Sequence, residues 1–192
     1  MTKTLMEYQQ NQPWIIKENS FNNNFLSKGE SVFALGNGYL GIRSAFEENY
    51  IGEKRDMFVS GTFDRFDKSE VTELPNVPDF IQMEFVINGR NLDLNLGEIT
   101  QYSFSLNLKT GQLIRHFIWK FADIHLEFNF RRFVSFDDLH LLGQEVTIRN
   151  LGADTSFQLK SGIDGQLTNS GSQHFAEGTK DQEKNRILQM VS

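Results

Sequence analysis

Three glycines near the start of the chain have the spacing of a nucleotide-binding loop. Gly36, Gly38 and Gly41 form G-x-G-x-x-G after a short apolar run, and Asp64 lies about twenty residues beyond, where an acid can bind a ribose. A dinucleotide-binding fold also needs a helix that begins at these glycines, because its N-terminal amides hold the pyrophosphate. The residues that follow, IRSAFEENYIG, are too few and too irregular for that helix. Dinucleotide binding is therefore the less favoured interpretation.

The same glycines fit a tight β-hairpin better. Residues 32–35 and 39–42 are two short apolar runs. Asn37-Gly38 between them is preferred in two-residue turns, because both central residues need a positive φ. Gly41 leaves a gap on the second strand, where another backbone or a ligand could approach closely. The sequence therefore predicts a hairpin with one open face.

Acids and histidines are plentiful, but none of them forms a recognisable catalytic or metal-binding pattern. Glycoside chemistry needs two carboxyl groups that face each other across a bond. Adjacent residues point apart, so Glu47-Glu48 and Asp137-Asp138 are better explained as surface charge or turn residues. The histidines lack metal-ligand spacing, and only His174, in a predicted loop, is placed to touch a partner. We expect no catalytic residue, no metal site and no cofactor in this chain.

Composition excludes several classes of partner. The net charge of −6, with acids and bases interspersed, argues against nucleic acid or an anionic membrane, since either would require a basic face. The N-terminus has no apolar signal-peptide core, and no apolar run is long enough to cross a bilayer. The absence of cysteine is compatible with a reducing compartment, so we expect a cytoplasmic protein.

Alternating apolar and polar residues dominate the rest of the chain. Gly-containing turns separate the predicted strands, which cover residues 14–18, 81–87, 92–96, 103–109, 112–121, 125–136, 139–150 and 156–163. Such a series predicts an all-β fold, a large antiparallel β-sandwich with few or no helices, and one domain over residues 1–192. Arg115 and Arg132 are polar exceptions on otherwise apolar strand faces. Residues 44–49 are expected to form one helical turn, and residues 64–78 an irregular polar loop.

Several segments together resemble the N-terminal domain of glycoside hydrolase family 65, the disaccharide phosphorylases. They are WIIKE, LGNGYLGIRSAFEE, GTFDRF, VTELPNVPDF, INGRNLDLNLGEI, LKTGQLIRHFIWK, RRFVSFDDLH and GIDGQLTNSGSQHF. TELPN and TNSGSQHF are most similar to the kojibiose phosphorylase branch. The last residues, RILQMVS, are typical of a strand without a sequel, so we expect a fragment of a longer protein; a C-terminal edge strand is the alternative.

The resemblance implies a β-sandwich that precedes an α/α-barrel catalytic domain, absent from this chain. The family cleaves α-linked glucosyl disaccharides with inorganic phosphate as co-substrate, and releases β-glucose 1-phosphate with inversion. Its general acid and its phosphate-binding residues belong to the barrel, so no residue here inherits a catalytic role. The implied partners are the barrel of the same parent chain, the disaccharide in the intact enzyme, and a second copy in a homodimer.

We expect the predicted hairpin and the loop over residues 63–78 to face the barrel and to shape the substrate entrance. Both are richer in Gly, Arg and aromatic residues than sheet packing requires. The candidate entrance residues are Gly38, Tyr39, Arg43, Phe63, Asp64, Arg65 and Phe66. The alternative is a free-standing carbohydrate-binding module, which would bind sugar by itself through an exposed aromatic platform.

Overall fold

Antiparallel strands form most of the molecule. The computed structural model describes residues 6–8, 11–65, 67–169 and 172–175. The elements, in chain order, are β1 (Met6–Tyr8), β2 (Ile15–Glu18), a 3₁₀ turn (Asn23–Phe25), α1 (Leu26–Val32), β3 (Leu35–Gly36), β4 (Leu40–Ile42), β5 (Met57–Val59), β6 (Met83–Ile87), β7 (Arg90–Asn91), β8 (Glu98–Asn107), β9 (Gln112–Phe121), β10 (Ile124–Val134), β11 (Leu142–Asn150), β12 (Phe157–Ser161), β13 (Thr168–Asn169) and β14 (Ser172–Gln173). The final segment RILQMVS lies outside the described residues.

A six-stranded sheet with the order β1-β2-β8-β9-β10-β11 is the larger layer. Its long central strands alternate between buried and more exposed residues, as the period of two along a strand requires. The buried set on β10 includes Leu126, Phe128 and Phe130. One face of this sheet therefore forms the floor of the core.

Two three-stranded sheets, β12-β6-β7 and β3-β4-β5, complete the sandwich, with a separate small hairpin β13-β14. Phe85 on β6 packs edge-on against Phe128 and Phe130, with ring centroids 6.0 and 5.7 Å apart. Phe33 packs on Phe104 of β8 at 4.4 Å. Aromatic rings from both layers thus interlock in the core, and the predicted all-β sandwich is confirmed.

The predicted local structure is wrong in two places before β5. Residues 26–32 form helix α1, so the first hairpin strand is only Leu35–Gly36. Residues 44–49 form no helix; they are an irregular segment in which residues 44–48 are buried. Contacts with the large sheet hold this segment and override its local helix-start signal. Within the described residues, no helix is long and apolar enough to cross a membrane.

Candidate functional site

The predicted hairpin exists, and its turn is built around the Asn37 side chain. Leu35 pairs with Ile42, and Gly36 with Gly41. Gly38 has φ of 89°, but Asn37 is not among the residues with positive φ, so that part of the turn prediction is wrong. The Asn37 Oδ1 atom accepts hydrogen bonds from the backbone amides of residues 39 and 40, at 3.0 and 2.8 Å. The side chain thus satisfies amides that a second left-handed residue would otherwise orient.

No helix follows these glycines up to β5, which removes the dinucleotide interpretation.

The same asparagine ties the hairpin to the loop between β10 and β11. Its Nδ2 atom donates to the carbonyls of Ser135 at 2.6 Å and Leu139 at 3.0 Å. The Tyr39 ring packs edge-on against the His140 ring, with centroids 4.4 Å apart. The hairpin and residues 135–141 therefore form one continuous surface, which sequence inspection missed because about a hundred residues separate its parts.

Large apolar side chains lie open to solvent on this surface. Phe136 is 73% exposed, Leu139 41% and Leu141 48%. The backbone amide of Ser60 donates to the Tyr39 carbonyl at 2.7 Å and brings in the segment that leads to Phe63, 70% exposed. We call Gly38, Tyr39, Phe63 and residues 135–141 the hairpin surface. Apolar side chains that are clustered rather than scattered are typical of an interaction site.

The Arg43 side chain contacts helix α1 rather than the hairpin surface. Its Nη2 atom donates to Glu30 at 3.0 Å and to the Ser27 carbonyl at 3.1 Å, and its Nε atom lies 3.7 Å from Asp56. These partners belong to helix α1 and to the residue before β5, so its contacts join α1 to the hairpin base. The structure does not bring Arg43 together with the other candidate residues.

Asp64 forms the base of a closed loop. Its backbone amide donates to the Glu73 carbonyl at 3.0 Å, and the Glu73 amide donates back at 2.9 Å. The described residues between them, including Arg65, are exposed, whereas Phe66 lies outside the described residues. We call the described residues 64, 65 and 67–73 the acidic loop, because Asp64, Asp67, Glu70 and Glu73 belong to it.

His174 fastens the acidic loop to the β13-β14 hairpin. Its Nδ1 atom lies 2.9 Å from Asp64 Oδ2, and its Nε2 atom lies 2.8 Å from Glu73 Oε1. Asn169 adds two further bonds: its Nδ2 atom donates to the Leu74 carbonyl at 2.8 Å, and its Oδ1 atom accepts from the Asn76 amide at 2.6 Å. The loop is therefore held by side chains that follow it by about a hundred residues.

The electrostatics of this contact favour a charged histidine. Hydrogen bonds to Asp64 and then Glu73 raise the pKa of His174 above its usual value, against a smaller opposing effect of burial. The bond from His174 in turn lowers the pKa of Asp64. Because both ring nitrogens are occupied by carboxylates, the arrangement suits a structural cation better than a general base or nucleophile.

A buried ionic cluster joins the segment after β4 to the large sheet and is formed by Glu47, Glu48, Arg115 and Arg132. Arg115 donates from Nη1 to Glu48 at 2.6 Å and from Nη2 to both Glu47, at 2.8 Å, and Glu48. Arg132 donates to Glu47 at 2.5 Å and to the Ala45 carbonyl at 3.1 Å. Each of the four side chains is at most 5% exposed. The interpretation of Glu47-Glu48 as surface charge is therefore wrong.

Charge pairing and aromatic rings together make this burial tolerable. Burial alone would raise the pKa of Glu47, but Arg132 and Arg115 outweigh it and hold that pKa below its usual value. The Arg115 guanidinium lies 4.1 Å from the Phe46 ring centroid and 4.3 Å from that of Phe130. With both acids occupied by arginines, the cluster anchors residues 44–48 to the large sheet rather than offering a proton-transfer pair.

The chain matches the N-terminal domain of glycosyl hydrolase family 65 over residues 16–191. It belongs to this family. It is 46% identical over 168 residues to the kojibiose phosphorylase of Halothermothrix orenii, covering 87% of this chain and 21% of that protein. It is 38% identical over 166 residues to the kojibiose phosphorylase of Escherichia coli strain K12, covering 86% and 22%.

The maltose phosphorylase of Bacillus subtilis strain 168 is 27% identical over 173 residues, covering 84% of this chain and 23% of that protein. A solved structure from the human microbiome, described as a candidate kojibiose phosphorylase, has a TM-score of 0.83 at 22% identity. That match covers 96% of this chain and 26% of the other, and it shows the shared fold. The chain thus spans about a fifth of the length of the curated relatives it matches. The predicted resemblance to family 65 and its kojibiose phosphorylase branch is confirmed.

Two of the segments that suggested family 65 meet in space. Glu73, Leu74 and Asn76 belong to TELPN and its surroundings, and they contact Asn169 and His174 of TNSGSQHF. Across the described part of the chain, no group of three or more His, Cys, Asp or Glu side chains is arranged to hold a metal ion. The family 65 domain therefore offers two features for contact, the hairpin surface and the acidic loop.

Proposed function

We propose that this chain is the accessory N-terminal domain of an inverting disaccharide phosphorylase that acts on an α-glucoside. The observation that carries the proposal is the match to the family 65 N-terminal domain over residues 16–191, with a kojibiose phosphorylase at 46% identity. Those relatives are about five times longer, which leaves room for a separate catalytic domain in the parent chain. The chemistry is assigned to that domain, an α/α barrel, and the proposed location is the cytoplasm.

The proposed reaction converts a disaccharide and inorganic phosphate into β-glucose 1-phosphate and a free sugar. A carboxylic acid of the barrel protonates the departing glycosidic oxygen, while a phosphate oxygen attacks the anomeric carbon from the opposite face. The C–O bond to the leaving sugar breaks as the new C–O bond to phosphate forms, so the configuration inverts. Phosphate is itself the nucleophile, and no protein base is needed to activate a water.

The hairpin surface and the acidic loop are the proposed contacts with the barrel near the substrate entrance. Phe136 and Leu141 supply exposed apolar area on a segment that Asn37 holds in place, and Phe63 is a further exposed aromatic in the segment after β5. A preformed apolar surface loses little conformational entropy when it docks, which favours a permanent contact within one polypeptide. Dimer formation by the parent enzyme is part of the same proposal, and sedimentation of that enzyme tests it.

Substitution of the exposed aromatics in the full-length enzyme tests the placement. Phe63→Ser combined with Phe136→Ser should lower kcat/KM for phosphorolysis by about fivefold to tenfold, because a docked aromatic carries a large share of contact energy. Ile51→Ser is the matched control, since Ile51 is fully exposed on a turn outside both features. Circular dichroism should show an intact sandwich in both variants.

Unchanged kinetics in the double variant would remove the placement of the hairpin surface at the barrel. Calorimetric titration of the 192-residue chain with glucosides distinguishes the accessory domain from a free-standing carbohydrate-binding module, because such a module would bind glucosides without a barrel. An accessory domain that only shapes the entrance should give no measurable heat of binding.

A further inference from the structure

The base of the acidic loop is closed by backbone and side-chain contacts. Its described residues 67–72 are all exposed, and the two backbone bonds between Asp64 and Glu73 close it. His174 then bonds to the side chains of both residues from the β13-β14 hairpin, 110 and 101 positions further along the chain. His174 is therefore the side chain that ties both ends of the loop base, while Asn169 bonds to the residues just after it.

We propose that His174 is a positioning residue that locks the acidic loop as a cation bound between two carboxylates, and that the locked loop sets how tightly the parent enzyme binds its disaccharide. The second part rests on the proposed function, which places this loop at the substrate entrance. The first part depends only on contacts within this chain.

The geometry requires two protons on the ring. A neutral imidazole has one N–H donor, and its other nitrogen presents a lone pair. Both nitrogens of His174 lie within 2.9 Å of a carboxylate oxygen, so the neutral ring would direct a lone pair at one of the acids. The protonated ring donates to both, in two charge-assisted hydrogen bonds.

The contact of His174 with Asp64 and Glu73 is reversible, because both acids are partly exposed to solvent. The His174 side chain is 2% exposed, whereas Asp64 and Glu73 are 51% and 38% exposed. The acids stay hydrated and ionised if the histidine releases them, so opening leaves no buried unpaired carboxylate. Above its folded pKa the His174 ring is also neutral, so opening then leaves no unpaired buried charge.

The contact responds to pH in a defined direction. Within the described residues, Asp64 and Glu73 are the charged groups that act on His174. The described residues of its own hairpin are uncharged: Thr168, Asn169, Ser172 and Gln173. Since the folded pKa of His174 is raised, the stabilisation is fully present below the usual histidine pKa of about 6.5 and is lost as pH rises through the folded value. We expect a locked loop at pH 6 and a looser one in mildly alkaline solution.

The full-length enzyme with His174→Gln tests both parts. At pH 6 the variant should show about fivefold faster amide hydrogen exchange in the acidic loop than wild type, with unchanged exchange in β9. Its KM for the disaccharide should rise by a similar factor while kcat stays within about twofold, because the loop positions substrate rather than reacting with it. Glu73→Gln removes one of the two charged partners and should give an intermediate effect.

His125→Gln is the matched control, since His125 lies on β10 outside both proposed contact features. The ratio of variant to wild-type KM for His174→Gln should approach one as pH rises, because wild type then loses the same contact. Taking this ratio cancels the ionisation of phosphate and of the catalytic acid, which both proteins share. A merely structural role for His174 would give a ratio independent of pH.

The outcomes separate the two parts. Unchanged loop exchange in His174→Gln overturns the lock. Faster loop exchange with unchanged KM keeps the lock but overturns the role of the loop in disaccharide binding, and with it the placement at the substrate entrance. Faster exchange together with a pH-dependent rise in KM supports both parts.

Discussion

Glu18 is a carboxylic acid that folding removes from water. It ends β2, is 6% exposed, and lines a small enclosed space with Tyr102 and Phe104. Burial raises its pKa to about 7, while Lys28 opposes the shift. The folded protein therefore prefers the neutral acid at a pH where the unfolded chain carries the anion.

Glu18→Gln should stabilise the domain above neutral pH. A carboxyl group whose folded pKa is raised binds its proton more tightly in the native state, so stability falls as pH rises from about 4.5 to about 7 and is then level. The amide removes this loss, and the free energy of unfolding at pH 8 should rise by roughly 2 kcal/mol. Urea unfolding of the 192-residue chain at pH 5 and pH 8 measures it. Glu98→Gln, at an exposed position, is the control, and an equal pH slope in wild type and Glu18→Gln would contradict the assignment.

The buried ionic cluster is indicated in the sequence only by charged residues on strand faces that are otherwise apolar. Arg115 and Arg132 occupy inward positions of β9 and β10, and that alternation could be read from the sequence. Their partner Glu47 lies 68 and 85 residues away, in an irregular segment without a period. Local pattern therefore predicts that the two arginines are buried, but it cannot predict which acids neutralise them.

The positions of strands are predicted best where apolar and polar residues alternate most regularly along the sequence. β9 and β10 alternate along most of their length, and their predicted positions agree with the structure to within two residues. β8 begins at Glu98, before its predicted start at Ser103, and a register shift between Thr100 and Ser103 interrupts its alternation. Helix α1 contains Ser27, Gly29 and Val32 in seven residues, a composition with weak helix propensity, and its burial against the core stabilises it instead. The place of residues 135–141 in the site is not predictable from local pattern, because their links to the hairpin, through Asn37 and Tyr39, span about a hundred residues of sequence.

Asn37 is the residue on which that link depends. Asn37→Ala removes two acceptor and two donor hydrogen bonds, and should lower the free energy of unfolding by about 1–3 kcal/mol. Asn37→Asp keeps the acceptor toward the turn amides but loses both donors toward the Ser135 and Leu139 carbonyls. It should therefore accelerate hydrogen exchange in residues 135–141 while the hairpin amides stay protected.

Asn24→Ala is the control for both Asn37 variants, since Asn24 is exposed in the 3₁₀ turn. If the loop over residues 135–141 exchanges equally in wild type and Asn37→Asp, the two segments are not coupled and the hairpin surface is not one unit. Loss of protection in the hairpin itself would show instead that the turn, rather than the link, requires the amide.

Across the whole molecule, the buried ionic cluster connects parts that the sheets alone leave separate. β9 and β10 belong to the large sheet, whereas residues 44–48 lie between β4 and β5 of the β3-β4-β5 sheet. They also contact β6 of the other small sheet, because the Met83 amide donates to the Glu47 carbonyl at 2.8 Å. Both layers of the sandwich therefore share these charges. Rupture of the cluster should be felt throughout the fold, and unfolding should be cooperative.

Arg115→Met tests this cooperativity. The variant fills similar volume but leaves Glu47 with Arg132 alone and Glu48 without its arginine, so it should lower the free energy of unfolding by about 3–5 kcal/mol. Arg115→Lys keeps the charge but loses the two-pronged contact, and should fall between Met and wild type. Fluorescence of Trp119 on β9 and far-ultraviolet circular dichroism should report the same urea midpoint.

Arg149→Ala, which breaks an ion pair of a 68% exposed arginine, should change stability by less than about 1 kcal/mol. If Arg115→Met were no less stable than Arg149→Ala, the cluster would not be what unites the two layers.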